Sequence, residues 1–429
     1  MKKWLSLLLA ALMIMGTAAS VSANAQTVLK FWTHANSGWN ASWYEMIAAF
    51  EAENPDIKVE YTIFPYNDFE AKIQTSLIAG EVGADVYEVW GGWMLDLVDA
   101  GALSETPEEF VQVLREDAFA PVLGTLEKDG KIYGAPLEFN NEYGGILVNK
   151  RLFEEYGLPY PATWAEVVET AKLVADQDGE IMNMRGLEFA HRDGLITNYF
   201  SMILQKGGHF LEENGKLNFN TQEAAEAMSE LVALIKDDRV TNLDMTFENI
   251  PGVEGHDLIC IDECLMLARG PWVISECIEG YDAVLGEDID FIPQPPFYPD
   301  SDIPQLMVSE TGWSLCVPKT TQLADAAWRF IEFVYEPENL LRHNINCAQI
   351  PPRASVVNEP EYLEKMPYIA PLVALLPNAQ FIGSYNTEMV KDYLVQVFGA
   401  LASDDGTYAS VEEALAQLTE DLDKGLKIY

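Results

Sequence analysis

Positive charge is scarce in this chain. Only 26 Lys plus Arg stand against 68 Asp plus Glu over 429 residues, a formal charge of −42. So acidic a surface repels phosphate backbones and anionic lipid headgroups, which excludes nucleic acid and membrane-surface partners. Neutral or cationic small molecules, or another protein, remain. Cysteine is sparse too, five in all, and none precedes Cys260. A bilayer-spanning run is missing, because the one candidate, Trp4 to Met15, falls short of the roughly 20 residues a span requires. The catalytic spacings HExxH, GxSxG and GxxxxGK-Ser/Thr do not occur, and Asp176-Gln177-Asp178-Gly179 lacks the first ligand of a calcium loop. Tandem repeats and low-complexity linkers are absent as well.

What is present points first to export. Lys2 and Lys3 form a basic start, an apolar core follows, and Ala23-Asn24-Ala25 reads as a peptidase site, so residues 1–25 read as a cleavable signal peptide. With no Cys near that site, lipid attachment is excluded. The expected product is a soluble, monomeric periplasmic protein. Export permits disulfides, but Cys260, Cys264, Cys277, Cys316 and Cys347 are odd in number, so at least one thiol stays unpaired. His256, Cys260 and Cys264 recur every four residues, as on one helix face, yet they lack a fourth metal ligand. Buried small side chains with one bridge fit better, and neither a metal nor a cofactor is expected.

At this length, and 49% hydrophobic, the chain is folded and has more than one core. Val28 to Trp32 reads as a strand, followed by a polar loop from His34 to Asn40. Ser42 and Glu45 read as a capping box ahead of an apolar face of Trp43, Met46, Ile47 and Phe50, with Asn54-Pro55 as the stop. Ile57 to Ile63 alternates as a second strand. Phe69, Ile73 and Leu77 stripe a helix ending at Gly80, and Val86 to Trp90 is a third strand. This β-α-β-α-β order implies a parallel sheet. The pattern returns with helix starts at Thr163, Asn220 and Ser410, a helix through Ala327, Phe330, Ile331 and Val334, and strands at Cys264 to Ala268 and Ile289 to Ile292. Two α/β lobes with a cleft between them is the simplest architecture.

Ligands of open parallel sheets sit beyond the carboxyl ends of the strands. Those ends carry Trp32, His34, Asn36 and Ser37, then Glu88, Trp90, Gly91 and Trp93, then Glu138 to Tyr143 with Asn140 among them. Later ends carry Gly270-Pro271-Trp272 and Glu310-Thr311-Gly312-Trp313. Indole faces suit the C–H face of a sugar ring while Asn, Glu and Tyr groups bond its hydroxyls. Trp43, Trp164 and Trp328 lie on helix faces and read as core. Carboxylates at Glu88, Glu138, Glu142 and Glu310 could also serve a secreted glycoside hydrolase or lyase, or pair with a cationic solute such as a polyamine or amino sugar. Anions are disfavoured, since Arg269 and Arg353 are the only arginines near these loops.

Seven segments then match one family in order. They are Leu29-Lys30-Phe31-Trp32 leading to Gly38-Trp39-Asn40, the run Phe50 to Val59, and Ala84-Asp85-Val86 with Trp90 and Gly101-Ala102-Leu103. Tyr133-Gly134-Ala135-Pro136 with Asn149 to Phe153 and Pro161 to Glu166 comes next, followed by Met266 to Trp272, Ala326 to Phe330 and Ile350 to Arg353. From Thr27 onward the chain resembles the family 1 extracellular solute-binding proteins of ABC importers, the group that includes maltose-binding protein.

The resemblance implies a type II periplasmic-binding-protein-like α/β fold, each lobe a mainly parallel sheet flanked by helices, with a carbohydrate cleft between. It implies a first lobe from 26–139 and 294–346 and a second from 140–293 and 347–429. It also implies delivery to ABC permease membrane subunits and no catalysis. By position, Trp90 and Trp272 resemble ring-stacking residues, Glu138 a hydroxyl acceptor and Tyr385 a late aromatic platform. Asn36 and Ser37 stand where maltose-binding protein has a charged pair.

Overall fold

A computed structural model describes residues 26–78, 83–141, 144–179, 181–243 and 258–429. The expected signal peptide, and Gly80, Glu142, Tyr143 and His256, lie outside the described residues.

In chain order, the first lobe opens with β1 (Thr27–His34), α1 (Ser37–Glu53), β2 (Ile57–Phe64), α2 (Tyr66–Ile78), β3 (Val86–Val89), α3 (Gly91–Asp99) and α4 (Glu108–Asp117). The chain then passes through β4 (Ala135–Pro136) and β5 (Phe139–Asn140) into the second lobe. That lobe holds β6 (Gly145–Asn149), α5 (Trp164–Val174), β7 (Asp176–Asp178), β8 (Ile181–Glu188), α6 (Arg192–Gln205), α7 (Gln222–Lys236), β9 (Cys264–Leu267), α8 (Val273–Tyr281) and β10 (Ile289–Pro293). It returns through β11 (Met307–Thr311) to β12 (Ser314–Cys316), α9 (Ala324–Tyr335) and α10 (Pro337–Asn346). β13 (Ala379–Phe381) then leads to α11 (Thr387–Ser403) and α12 (Val411–Gly425).

The first-lobe sheet runs β2-β1-β3-β12-β4 and the second β10-β6-β9-β8-β7, with β13-β11-β5 as a small third sheet between them. The two-lobed α/β architecture is the one anticipated. The sheets, expected to be mainly parallel, are mixed. β1 is parallel to β2 and β3, but β12 returns antiparallel to β3 and β4. In the second lobe β8 and β9 are parallel, while β6 runs against both β9 and β10. The reason is topological: strands that arrive from the other lobe enter without a βαβ crossover, so they need not run parallel.

Two local expectations shift. The loop expected at His34 to Asn40 is the end of β1 and the start of α1. Its N-cap is Asn36, whose side chain accepts from the Trp39 N–H at 3.1 Å. The apolar stripe therefore begins one turn earlier, at Trp39, and Ser42 lies inside the helix. There its hydroxyl pairs with Nδ1 of buried His343 on α10 at 2.9 Å. Helix α7 is capped by Thr221, one residue past Asn220, because the Thr221 hydroxyl accepts from Ala224 N–H at 3.2 Å. The capping box at Thr163 and Glu166 and the Ser410 cap stand as read. Trp43 and Trp328 are core, and Trp164 packs edge-on against Phe297.

Among the described residues no helix is long and apolar enough to cross a membrane, and no group of three metal-ligating side chains occurs. Cys260 and Cys277 form a disulfide tying the approach to β9 to α8, while Cys264, Cys316 and Cys347 are free and buried. Cys260 and Cys264 share no helix, since Cys264 already starts β9. The bridge closes 17 residues of sequence separation, so replacing both cysteines by serine should cost about 3 kcal/mol of unfolding free energy. Urea denaturation checks this; an unchanged midpoint would show that α8 is held without it.

Candidate functional site

The two short passages between lobes place the site. Leu137 and Glu138 separate β4 from β5, and Gly312 and Trp313 separate β11 from β12. The Leu137 N–H donates to the Trp313 carbonyl at 2.8 Å, and the Trp313 N–H donates to Glu138 Oε1 at 3.1 Å. Glu138 is buried, and a Cβ on Gly312 would fall 2.5 Å from its Oε1. Only glycine leaves room for this carboxylate at the crossing.

Trp313 is the hub of the first-lobe wall. Its indole lies flat on the His34 imidazole, with centroids 4.1 Å apart and planes 8° apart. Trp90 and Trp93 flank it at 5.5 and 5.6 Å. His34 is held by Glu88, whose Oε2 lies 2.7 Å from Nδ1 and accepts the His34 N–H at 3.2 Å. All these groups are buried.

The facing wall is a charge network. Lys391, on α11 and 1% exposed, places Nζ 2.7 Å from Asp193 Oδ1, 3.1 Å from Glu310 Oε2 and 3.0 Å from Glu388 Oε1. Its ammonium also sits 5.2 Å from the centre of the Trp90 ring. Arg269 reaches Asp193 at 3.8 Å, and Arg192 pairs with Glu388 at 3.1 Å. Burial would raise the Asp193 carboxyl, but Lys391, His191 and Arg269 more than offset it and hold it well below the usual range. Burial would likewise lower the Lys391 ammonium, and its carboxylates push it far up, so it stays charged. Glu310 goes the other way. Burial, opposed by Lys391 and reinforced by Asp193, raises it to about 6.

Past Arg269, the chain reaches half-buried Trp272 and then α8, whose first turn touches the first lobe. A Cβ on Gly38 would lie 2.6 Å from Ser275 Cβ, and Asn36 Nδ2 donates to Glu276 Oε1 at 2.6 Å. Joined by the chain between His34 and Asn36 and between Arg269 and Trp272, these contacts trace a circuit: His34, Trp313, Trp90, Lys391, Asp193, Arg269, Trp272, Ser275, Glu276 and Asn36. Inside this arrangement Trp90 Nε1, Arg269 Nε, Glu88 Oε1 and Glu310 Oε1 are buried and have no hydrogen-bond partner among the described residues. Buried polar atoms left bare are costly and call for a partner.

Of the residues singled out from sequence, His34, Asn36, Trp90, Trp272 and Trp313 fall on this circuit, and Glu138 braces it. Trp32 does not. It packs against Phe64 at 4.7 Å and Tyr87 at 5.5 Å. Arg353 is spent on Asp117 of α4 at 2.7 Å and on the Tyr335 carbonyl. Tyr385 is fully buried behind Glu310 and donates to the Ile382 carbonyl at 2.7 Å. Ser37 is exposed on the first turn of α1. Asn140 is buried in β5 opposite Glu310. Gly91 serves packing, since a Cβ there would strike the Thr311 carbonyl. The ammonium of Lys391 lies against one side of the Trp90 ring expected to stack a sugar. Sequence reasoning missed Lys391, Asp193 and Glu276, which sit in ordinary polar helix starts; only the tertiary fold brings them to the cleft.

A family model for bacterial extracellular solute-binding proteins matches residues 36–340. The chain belongs to this family. Among its relatives is a binding protein of Brucella abortus (strain 2308), 25% identical over 395 residues, covering 89% of this chain and 88% of the relative. An arabinooligosaccharide-binding protein of Halalkalibacterium halodurans is 25% identical over 218 residues, 49% of this chain and 46% of that one. In fold, the solute-binding protein superposes on MalE3 of T. maritima, solved with maltose bound. The TM-score is 0.73 at 20% identity, covering 93% of this chain and 99% of that one. Family membership puts its working place outside the cytoplasm.

The Glu310 environment has a measurable sign. Its folded value of about 6 exceeds the ordinary 4.5, so the native state holds a proton that the unfolded chain has released between those pH values. The Glu310 contribution to stability therefore grows as pH falls through 6 and is complete below 4.5, about 2 kcal/mol in all. Glu310→Gln should abolish that increment, seen as the difference between the two proteins' urea midpoints against pH. Parallel curves would refute it.

Proposed function

We propose that the protein captures a neutral mono- or oligosaccharide between its lobes and delivers it to the membrane subunits of an ABC importer. One observation carries the reading. The bare polar atoms of the cleft include donors, Trp90 Nε1 and Arg269 Nε, as well as acceptors, Glu88 Oε1 and Glu310 Oε1. A purely cationic ligand would leave the donors unmet, and a purely anionic one the acceptors. Hydroxyl groups donate and accept at once, and the half-buried indole of Trp272 offers an apolar wall to a sugar ring. The maltose of the T. maritima structure and the arabinooligosaccharide of the Halalkalibacterium relative support the same class.

The alternatives meet specific obstacles. The carboxylate and aromatic cage that would attract a cation already holds the Lys391 ammonium. Glu88 and Glu138, which a hydrolase would employ, are engaged with His34 and with the Trp313 N–H. The reading is therefore binding without turnover, with the ligand shifting the lobes toward the closed form by its differential affinity for that form.

A thermal-shift screen against neutral sugars tests the class, since a ligand at 100 times its Kd stabilises by about 2.7 kcal/mol. With a hit in hand, Trp272→Ala should lose about 2 kcal/mol of binding, roughly thirtyfold in Kd. The affinity should also be nearly independent of salt. Full affinity in the variant, or a steep salt dependence by calorimetry, would contradict the assignment.

A further inference from the structure

Away from the ligand walls, a second set of contacts joins the lobes. Helix α3 of the first lobe meets the start of α11 in the second. Asp96, on α3, uses both carboxylate oxygens on donors from across the gap: Oδ2 accepts from Asn386 Nδ2 at 2.7 Å, and Oδ1 from the Tyr429 hydroxyl. One turn on, Asp99 pairs with Lys427 and with Lys128 of its own lobe. Residues 427–429 are themselves fastened to the second lobe. The Tyr429 N–H donates to the Ser384 carbonyl at 3.0 Å, and Ile428 bridges to Tyr385. Gly92 stands against Thr387 in the same face, where a Cβ would fall 2.7 Å from the Thr387 hydroxyl.

We propose that this face is a latch that sets the balance between open and closed lobes. It rests on the reading of the cleft as a closing solute site, yet shares none of that site's bare polar atoms. Asp96 is the anchor: a carboxylate with charge-assisted bonds to two donors on another rigid body holds a particular lobe angle better than apolar contact does. Asp99 with Lys427 adds a second point one turn along the same helix. Both acids are partly exposed, so salt screens them. The latch therefore fixes how much of a ligand's binding energy goes into closure, and so tunes affinity without touching the ligand.

Small-angle scattering of ligand-free protein tests this with two variants. Tyr429→Phe removes one donor with no change of shape. Asn386→Asp keeps the cap of α11, because aspartate caps as well as asparagine, but turns a carboxylate toward Asp96. Each should shift the closed-to-open ratio toward open by about tenfold, Asn386→Asp more than Tyr429→Phe. The radius of gyration should rise while the urea midpoint stays within error, and any sugar found by screening should bind about tenfold more weakly. A changed envelope with no sugar bound would uphold the latch and reject the sugar assignment. An unchanged envelope in both variants, with normal sugar affinity, would reject the latch alone.

Discussion

The architecture turns on one buried carboxylate at a crossing point. Glu138 accepts the Trp313 N–H while Leu137 donates back to the Trp313 carbonyl. The two interlobe passages are thereby locked to each other within a residue of where each changes sheet. Without a partner, a buried carboxylate and a buried amide would each cost more than the bond returns, so the pair stays made. From this fixed point Trp313 is aimed at His34 and Trp90, and Gly312 is confined to having no side chain. The wall of the cleft follows from the hinge.

Charge is distributed to match. The chain has far more acids than bases, yet it spends several of its few cations between the lobes. Lys391 meets three carboxylates from α6, α11 and β11, and Arg192 and Arg269 stand nearby. A buried lysine so surrounded is costly to strand and geometrically demanding, which favours definition of the interface over net stability. Four further acids, Asp85, Glu88, Glu138 and Glu188, are buried as well, each beside a hydrogen-bonding partner.

Much of this was legible beforehand. The β-α-β order, the indoles and glycines at strand ends, and the Thr163 and Ser410 caps follow from local periodicity and cap chemistry, and the structure carries them. The misread positions share a cause. Ser42 with Glu45 has the spacing of a capping box, but Asn36 caps better because the Trp39 face has to be covered by the lobe core, and Ser42 then finds His343 some 301 residues away. Trp32 and Tyr385 have the right residue type, but Trp32 packs on Phe64 and Tyr87, and Tyr385 is fully buried with its hydroxyl on the Ile382 carbonyl. Trp90 reads as a sugar platform from the sequence, and only the fold shows a lysine of α11 against its ring.

By itself, the sequence determined an α/β chain, its helix and strand seeds, an acidic surface, and a stock of aromatic and amide groups suited to a small hydroxylated ligand, because propensity, caps and charge act over a few residues. The tertiary structure alone decided which of those groups face one another. Hinge pairing, the Lys391 network and the Asp96 contacts each join residues more than 150 positions apart, and no local periodicity encodes a distance that only the closing of one lobe on the other creates.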